Sequence, residues 1–198
     1  MTRPTRKPVP SASVANVHEG RLRDLWRIIR WELRMLPKNP TYVGAIVSLT
    51  LLGGLYVTLI YRPLQNALAC FILMALVCFL AILVLFFLVW IGVWGFLLLN
   101  PHATVYMNDD AALGMRSSVD RGGKTTWKVV QHIARAPGGL GAGLRKTIAP
   151  SITAAADNAR VPITAKAVNK KIEARYIDSL ADFQVQSDGR RRVSRQPQ

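Results

Sequence analysis

A glycine-rich loop is the segment of this sequence whose residue types most directly indicate chemistry. Gly138, Gly139, Gly141 and Gly143 follow the β-branched segment 127–135 and open a stretch with helical periodicity. Glycines let a backbone approach an anion closely, and a helix N-terminus presents free N–H groups and the positive end of a dipole. A strand, such a loop and a helix in this order are typical of a phosphate-binding site, although glycine clusters also serve as ordinary connectors.

The spacing of the loop excludes two common nucleotide motifs. No Lys-Ser/Thr pair directly follows the last glycine as in a Walker A loop, since Leu144 and Arg145 separate Gly143 from Lys146-Thr147. No acidic residue stands where a Rossmann fingerprint requires one. The sequence also has no Ser/His/Asp arrangement and no Cys/His metal spacing. It therefore predicts neither a catalytic triad nor a metal site.

Two segments resemble the GNAT acetyltransferase superfamily. Residues 136–144 resemble its acetyl-CoA loop, whose pattern is Gln/Arg-x-x-Gly-x-Gly/Ala, and residues 169–176 resemble its Asn-x6-Tyr segment. Phe183 stands near the Gly-Phe that usually closes the motif, and the resemblance covers roughly residues 103–186. The chain departs from the pattern at Ala136, which occupies the Gln/Arg position. The family's first strand and paired helices have no soluble counterpart in this sequence, since a membrane hairpin, described below, occupies their place.

The resemblance implies an acetyl-CoA site. The strand 127–135 would pair with the pantetheine arm through its backbone, and the loop amides would hold the pyrophosphate. The residues so implied in cofactor binding are His132, Ile133, Gly139, Gly141, Ala142, Gly143 and Asn169. Tyr176 would protonate the departing thiolate as general acid while an amine attacks the thioester.

Other polar residues near these segments leave alternatives open. His132 could serve as a general base, but a histidine satisfied within a strand fits the same pattern. Asp109 and Asp110 could orient an amine or bind a cation, and such a pair is also typical of a solvated turn. Tyr176 could equally be a core aromatic of its helix.

Around the loop, the pattern of apolar residues predicts a small α/β domain with the order β-β-β-α-β-α-β. The predicted strands are residues 104–107, 113–119, 127–135, 161–168 and 183–186, and the predicted helices are residues 144–159 and 169–180. Pro150 lies inside the first of these helices and should kink it.

Residues 42–99 carry a single charge, Arg62, and predict a membrane hairpin. The uncharged runs 42–61 and 67–99 each reach the roughly 20 residues that a helix needs to cross a bilayer. Nine Lys and Arg precede the first run and sixteen follow the second. This distribution predicts a multi-pass protein of the cell membrane with both termini cytoplasmic. The second run exceeds one bilayer, and Gly92 and Gly95 would permit a bend.

The flanks of the hairpin are predicted as one helix and two tails. Residues 21–36 place leucines and a tryptophan opposite an arginine stripe, which favours a helix lying in the interface of anionic lipid over one packed on the soluble domain. Residues 1–20 and 187–198 are basic and lack periodicity, so we expect disorder there. These basic tails could bind anionic lipid, which the adjacent anchor favours, or nucleic acid.

The predicted fold class is thus an α-helical membrane hairpin of two transmembrane helices with an amphipathic N-terminal helix, joined to a small GNAT-like α/β cytoplasmic domain at residues 103–186. The predicted function is binding of acetyl-CoA at the cytoplasmic face, with possible acetyl transfer to an amine. The alternative is a non-enzymatic scaffold or accessory protein, for example of a mobile element or phage, whose basic tails recruit a protein partner or DNA.

Overall fold

The computed structural model describes residues 7–11, 14–61, 67–119, 123–137, 139–167, 170–179, 183–185 and 192–198. Two long apolar helices interrupt a mixed α/β domain whose seven strands form one sheet. In chain order the elements are β1 (His18–Glu19), α1 (Leu25–Met35), α2 (Pro40–Tyr61), α3 (Ala67–Leu99), β2 (Ala103–Met107), β3 (Ala111–Val119), β4 (Thr125–Ala134), α4 (Leu140–Ala159), β5 (Ile163–Lys166), α5 (Lys170–Ser179), β6 (Gln184–Val185) and β7 (Arg192–Arg195).

The sheet has the strand order β1-β2-β3-β4-β5-β7-β6. Among the described strands, β4 and β5 are parallel neighbours and the other neighbours are antiparallel. A parallel pair needs a long crossover, which α4 supplies. The predicted order of strands and helices is present from β2 to β6, and β1 and β7 extend it at both ends.

Each face of the sheet is covered by different helices. On one face, α4 and α5 pack over a core that contains Leu113, Trp127, Leu144 and Ile148. On the other face, α1 and the C-terminal end of α3 pack over the β1–β4 half of the sheet. The core on that side is formed by Ile28, Ile29, Trp31, Trp94, Leu97, Val105, Met107, Ala112 and Ile133.

The N-terminal segment differs from the predicted disordered tail. Of residues 1–20, the described ones pack on the domain, with β1 paired to β2. The carbonyl of Lys7 accepts hydrogen bonds from Ser117 Oγ (2.8 Å) and Trp127 Nε1 (3.2 Å). Val9 and Val17 are buried. Isolated valines give no periodic signal, so this burial appears only once the sheet exists to receive them.

The predicted disorder of the C-terminal tail is also wrong for the residues that the structure describes there. Within the predicted tail 187–198, β7 inserts between β5 and β6, and Val193 is fully buried. Arg195 donates two hydrogen bonds to the Asp157 carboxylate, at 2.7 and 2.8 Å, and these hold the pKa of Asp157 down at about 2. Arg195 therefore serves the fold and is not part of a solvated basic tail.

Helix α1 packs on the domain, which is the less favoured of the two placements that its sequence pattern allowed. Its buried residues are Ile28, Ile29, Trp31 and Glu32, and they face α3 and the sheet. Trp26 is 56% exposed, and its ring makes an edge-to-face contact with Phe87 of α3. The predicted interfacial helix at residues 21–36 is thus a helix packed on the domain, because tertiary burial outweighs the lipid-facing pattern.

Helices α2 and α3 pack side by side. As expected, glycines of α2 permit close approach: a Cβ at Gly53 would lie 2.9 Å from Cys78 Sγ, and one at Gly54 would lie 3.2 Å from the Cβ of Ala75. By length and composition, α3 can cross a membrane over Phe71–Leu99. The corresponding apolar part of α2, Pro40–Tyr56, is shorter, so the predicted pair of spans is not confirmed.

Candidate functional site

The parallel strands β4 and β5 part halfway along β4. They pair only where Trp127–Val129 lie opposite Ile163–Ala165, and β5 ends at Lys166 while β4 continues to Ala134. On that edge, residues 130–134 have no strand partner among the described residues. A free strand edge exposes a row of N–H and C=O groups that an extended ligand can pair with.

A β-bulge lies at the point where the strands part. Gly114 of β3 lies opposite Gln131, but Met115 lies opposite Val129, so Val130 is an extra residue in β4. Since side chains alternate along a strand, one extra residue reverses which face each later side chain meets.

The bulge decides the direction of the candidate residues. Before it, Trp127 faces the core under α4. After it, Gln131 and Ile133 face α1, and His132 faces the first turn of α4. The Ile133 side chain is therefore buried on the opposite side of the sheet. Its backbone groups face Ala112 of β3, because Arg135, two residues on, also directs its N–H to that strand. Ile133 is thus not at the free edge.

His132 lies against the glycine-rich start of α4. A Cβ at Gly141 would lie 2.1 Å from His132 Nε2, so glycine is required there by the imidazole ring. Arg145 Nη1 lies 3.3 Å from the same nitrogen. Burial and the Arg145 charge lower the pKa of His132 to about 4, although a backbone hydrogen bond with Gly141 opposes them. The imidazole is neutral at pH 7, and Nε2 accepts from the guanidinium.

Arg145 also contacts the predicted general acid. Its guanidinium carbon lies 5.3 Å from the centroid of the Tyr176 ring, within cation–π range. Both side chains are buried. Burial raises the pKa of Tyr176, and the Arg145 charge acts in the opposite direction. The structure thus brings Tyr176, Arg145, His132 and Gly141 together.

The loop amides are only partly available. Gly139 is the N-cap of α4 with φ of 102°, a conformation that favours glycine. Its carbonyl accepts from the amides of Ala142 (2.8 Å) and Gly143 (3.0 Å). The amides of Leu140 and Gly141 have no backbone acceptor within the described residues. Asn169 and Gly138 lie outside the described residues.

The two aspartates of the β2–β3 turn are engaged in ion pairs. Arg27 lies 2.9 Å from Asp109, and Arg135 lies 3.0 Å from Asp110. No group of three potential metal ligands occurs in the part of the chain that the structure describes.

A buried glutamate that the sequence analysis missed lies on the other face of β4. Trp94 Nε1 donates to Glu32 Oε1 at 3.0 Å, and Gln131 also hydrogen-bonds this carboxyl group. Burial raises the pKa of Glu32 to about 7, which is near the operating pH of a general base. The signal was present in the sequence: Glu32 stands at helical spacing from the buried Ile28 and Ile29.

Arg145 was missed for a similar reason. It follows Gly141 by four residues and precedes Ala149 by four, on the buried face of α4. Helical spacing alone would have shown that this arginine faces inward.

We expect Gly141→Ala to destabilise the protein by about 2 kcal/mol, since the methyl group would overlap the His132 ring. Thermal unfolding of the detergent-extracted chain measures this. The matched control is Gly143→Ala, because a Cβ at Gly143 meets nothing within 4 Å. In a His132→Ala background the Gly141→Ala cost should largely vanish, and an equal cost in both backgrounds would contradict the contact.

Glu32→Gln should remove a pH dependence of stability. The pKa of Glu32 in the fold is about 7, against 4.5 for a glutamate in water, so the folded state holds this proton more tightly. The stability it confers is complete below about pH 4.5 and is lost as the pH rises through 7, by about 3 kcal/mol. Denaturant unfolding at pH 5 and pH 8 tests this.

At pH 8 the Glu32→Gln variant should therefore be more stable than the unsubstituted chain, since the carboxamide oxygen still accepts from Trp94. Glu173→Gln, on α5, is the control. A stability difference between Glu32→Gln and the parent that is the same at both pH values would refute the prediction.

No protein-family model matches this chain, and no curated protein matches it. Among solved structures, one that matches is described as "Crystal structure of AtaTR bound with AcCoA". The match has 12% sequence identity and a TM-score of 0.41, and it covers 54% of this chain and 76% of that chain. A likeness of this degree does not identify the activity of this chain.

Proposed function

We propose that the sheet domain binds acetyl-CoA in the manner that the GNAT resemblance implies, and that α2 and α3 anchor it in a membrane. The observation that carries the proposal is the free edge of β4, which begins where β5 separates after Val129 and leads to the N-terminus of α4.

The free edge suits the pantetheine arm. Residues 130–134 extend for roughly 16 Å at the rise of a β-strand. The arm is a linear chain with two amide groups, and such a chain can pair with an open strand edge by main-chain hydrogen bonds. His132 would contribute through its backbone, whereas the backbone of Ile133 is paired with β3.

The start of α4 suits the pyrophosphate. The amides of Leu140 and Gly141 lie at the positive end of the helix dipole. Open space surrounds Gly139 and Gly143, so a ligand can approach the helix from that side. Arg135, 55% exposed, stands between the end of β4 and the loop, where its charge is shared with Asp110. Asn169 is assigned a positioning role by the resemblance alone.

Acetyl-CoA would supply a thioester whose carbonyl carbon an amine can attack. Tyr176 would give its hydroxyl proton to the leaving sulfur. Burial raises the pKa of Tyr176, which keeps the hydroxyl protonated until the thiolate forms, and the nearby Arg145 charge partly opposes that rise. The attacking amine would give its proton to water.

A non-enzymatic role is the second candidate. It is favoured by the His132 ring, which already occupies the space beside Gly141. A domain of this kind would bind the cofactor weakly, or not at all, and would act through its surface.

Several features support the membrane anchor. Helix α3 has 33 residues, about 50 Å, whereas the hydrocarbon core is about 30 Å thick. Its last turns are buried in the domain at Trp94 and Leu97. Edge-to-face contacts join Tyr42 to Phe86 and Trp90, and such aromatic residues are typical of a membrane boundary.

The fold also supports a hairpin with both ends on one side. β1 and α1 precede the apolar helices, yet β1 pairs with β2 and α1 packs on the end of α3. Because Lys and Arg dominate both flanks, that side is the cytoplasmic side.

Titration calorimetry of the full chain in mild detergent should detect acetyl-CoA binding. Gly143→Glu should weaken it about tenfold or more, since a carboxylate would then stand in the open space beside the phosphate site. The same charge is favourable to the helix N-terminus, so folding should persist. Gly143→Gln, of equal size but neutral, is the matched control.

Failure of millimolar acetyl-CoA to bind would overturn the proposed cofactor site and favour the non-enzymatic role. Equal affinity of the Glu and Gln variants would overturn the placement at α4. Where binding is present, Tyr176→Phe separates the roles: an enzyme would lose turnover with amine acceptors while it keeps its affinity.

Reporter fusions should place residue 64 outside the cell and the C-terminus inside. We expect alkaline phosphatase activity at residue 64 and green fluorescence at the C-terminus, with the opposite reporters silent. An active phosphatase at the C-terminus would contradict the orientation, and a silent phosphatase at residue 64 would contradict the two-span hairpin.

A further inference from the structure

Two neighbouring cavities lie on the sheet face that α1 and α3 leave partly uncovered. One is an apolar groove of about 450 Å³ along α3, lined by Val89, Gly92, Val93 and Phe96. The other is a cleft of about 490 Å³ over β4, β5 and β7. Val130, the bulged residue of β4, lines both. A single ligand can therefore extend from one cavity into the other.

The cleft is strongly cationic. Lys128, Lys166 and Arg192 line it, and Arg116, which lines the groove, lies directly opposite Lys128 in the β3–β4 pair. Lys166 lies opposite Arg192 in the β5–β7 pair. Like charges opposite each other destabilise a sheet. None of the residues described as lining either cavity is acidic, so the charged groups that line them are all cations.

Arg116 joins the two cavities. Its guanidinium carbon lies 5.5 Å from the centroid of the Phe96 ring, and its Nε is buried without a hydrogen-bond partner within the described residues. It thus carries a positive charge to the boundary between the apolar wall and the cationic cleft.

We propose that these cavities hold one anionic phospholipid, with its phosphate-bearing headgroup over Lys128 and Lys166 and an acyl chain in the groove beside Gly92. Charge complementarity favours an anion in the cleft, and the apolar groove along α3, which by length and composition can cross a membrane, favours a hydrocarbon tail. A free phosphate would satisfy the cleft but leave the groove open to water.

The lipid site also defines the class of acceptor for the transfer proposed above, and this part rests on the proposed function. Val130 lies at the end of the paired segment of β4 and β5, so the headgroup lies beside the start of the free edge. An amine on such a headgroup would then be the group acetylated. The binding of lipid itself does not depend on acetyl-CoA.

Native mass spectrometry of the full chain, with dioctanoyl phosphatidylglycerol as the probe, tests the proposal. We expect it to bind about tenfold more tightly than dioctanoyl phosphatidylcholine, since each nearby cation contributes about 1 kcal/mol toward an anionic headgroup. Lys128→Gln with Lys166→Gln should remove that preference. Lys146→Gln with Lys170→Gln, on α4 and α5, is the charge-matched control and should keep it.

The tail is tested by filling the groove. Gly92→Leu places a side chain in the path of the acyl chain and should weaken phosphatidylglycerol binding about tenfold. Gly95→Leu is its control, because Gly95 also has open space but does not line the groove. Leucine favours a helix over glycine, so neither substitution should harm α3.

Three results would overturn the proposed lipid site. If glycerol 3-phosphate binds as tightly as phosphatidylglycerol and Gly92→Leu has no effect, the cleft is a site for a soluble anion. If phosphatidylcholine binds equally, the cations do not select the headgroup, and if a DNA oligonucleotide displaces the lipid, the face binds nucleic acid. Titration of the Gly92→Leu variant with acetyl-CoA tests the lipid site and the cofactor site separately. If this variant loses lipid binding and keeps its affinity for acetyl-CoA, both proposals are supported. If the unsubstituted chain binds lipid but not acetyl-CoA, only the proposed function is overturned.

Discussion

Burial of the last turns of α3 against the sheet is the interaction on which the rest of this structure depends. Trp94 and Leu97 fill the core between α1 and β2–β4, and Trp94 anchors the buried carboxyl group of Glu32. Removal of one large aromatic side chain from such a core costs about 3–5 kcal/mol. Because one continuous helix supplies both this core and the long apolar segment, the position of the sheet is fixed relative to that segment.

A single extra residue in β4 then organises both faces. Val130 shifts the alternation so that His132 points to α4 while Gln131 points to Glu32. Without the bulge these two side chains would exchange faces, and neither buried polar group would find its partner. The same residue lies where β4 leaves β5 and where the apolar groove meets the cationic cleft. Strand register and candidate chemistry are thus set by one local irregularity.

The parts of the fold that follow from local patterns were predictable from the sequence. Apolar runs predicted α2 and α3, and alternation and helical spacing predicted β2 to β5, α4 and α5. β1 and β7 were not predictable, since strands of two to four residues such as His18–Glu19 are stable only beside their partners. The glycine loop was recognised, but the reason for Gly141, the imidazole of His132, depends on a bulge that no periodicity reveals. The burial of Arg145 could have been read from helical spacing.

The pairing of β1 with β2 has a consequence for how the chain reaches this structure. His18 and Met107 are neighbours in the sheet, although roughly ninety residues separate them, and closing so long a loop is entropically costly and slow. If α2 and α3 insert as the hairpin proposed above, that search would be shorter, because the two ends of the hairpin would emerge at one surface and hold α1 near the newly made strands. The bilayer would then act as a template for tertiary assembly, and a chain made without it would expose the apolar face of α1 for longer and aggregate sooner.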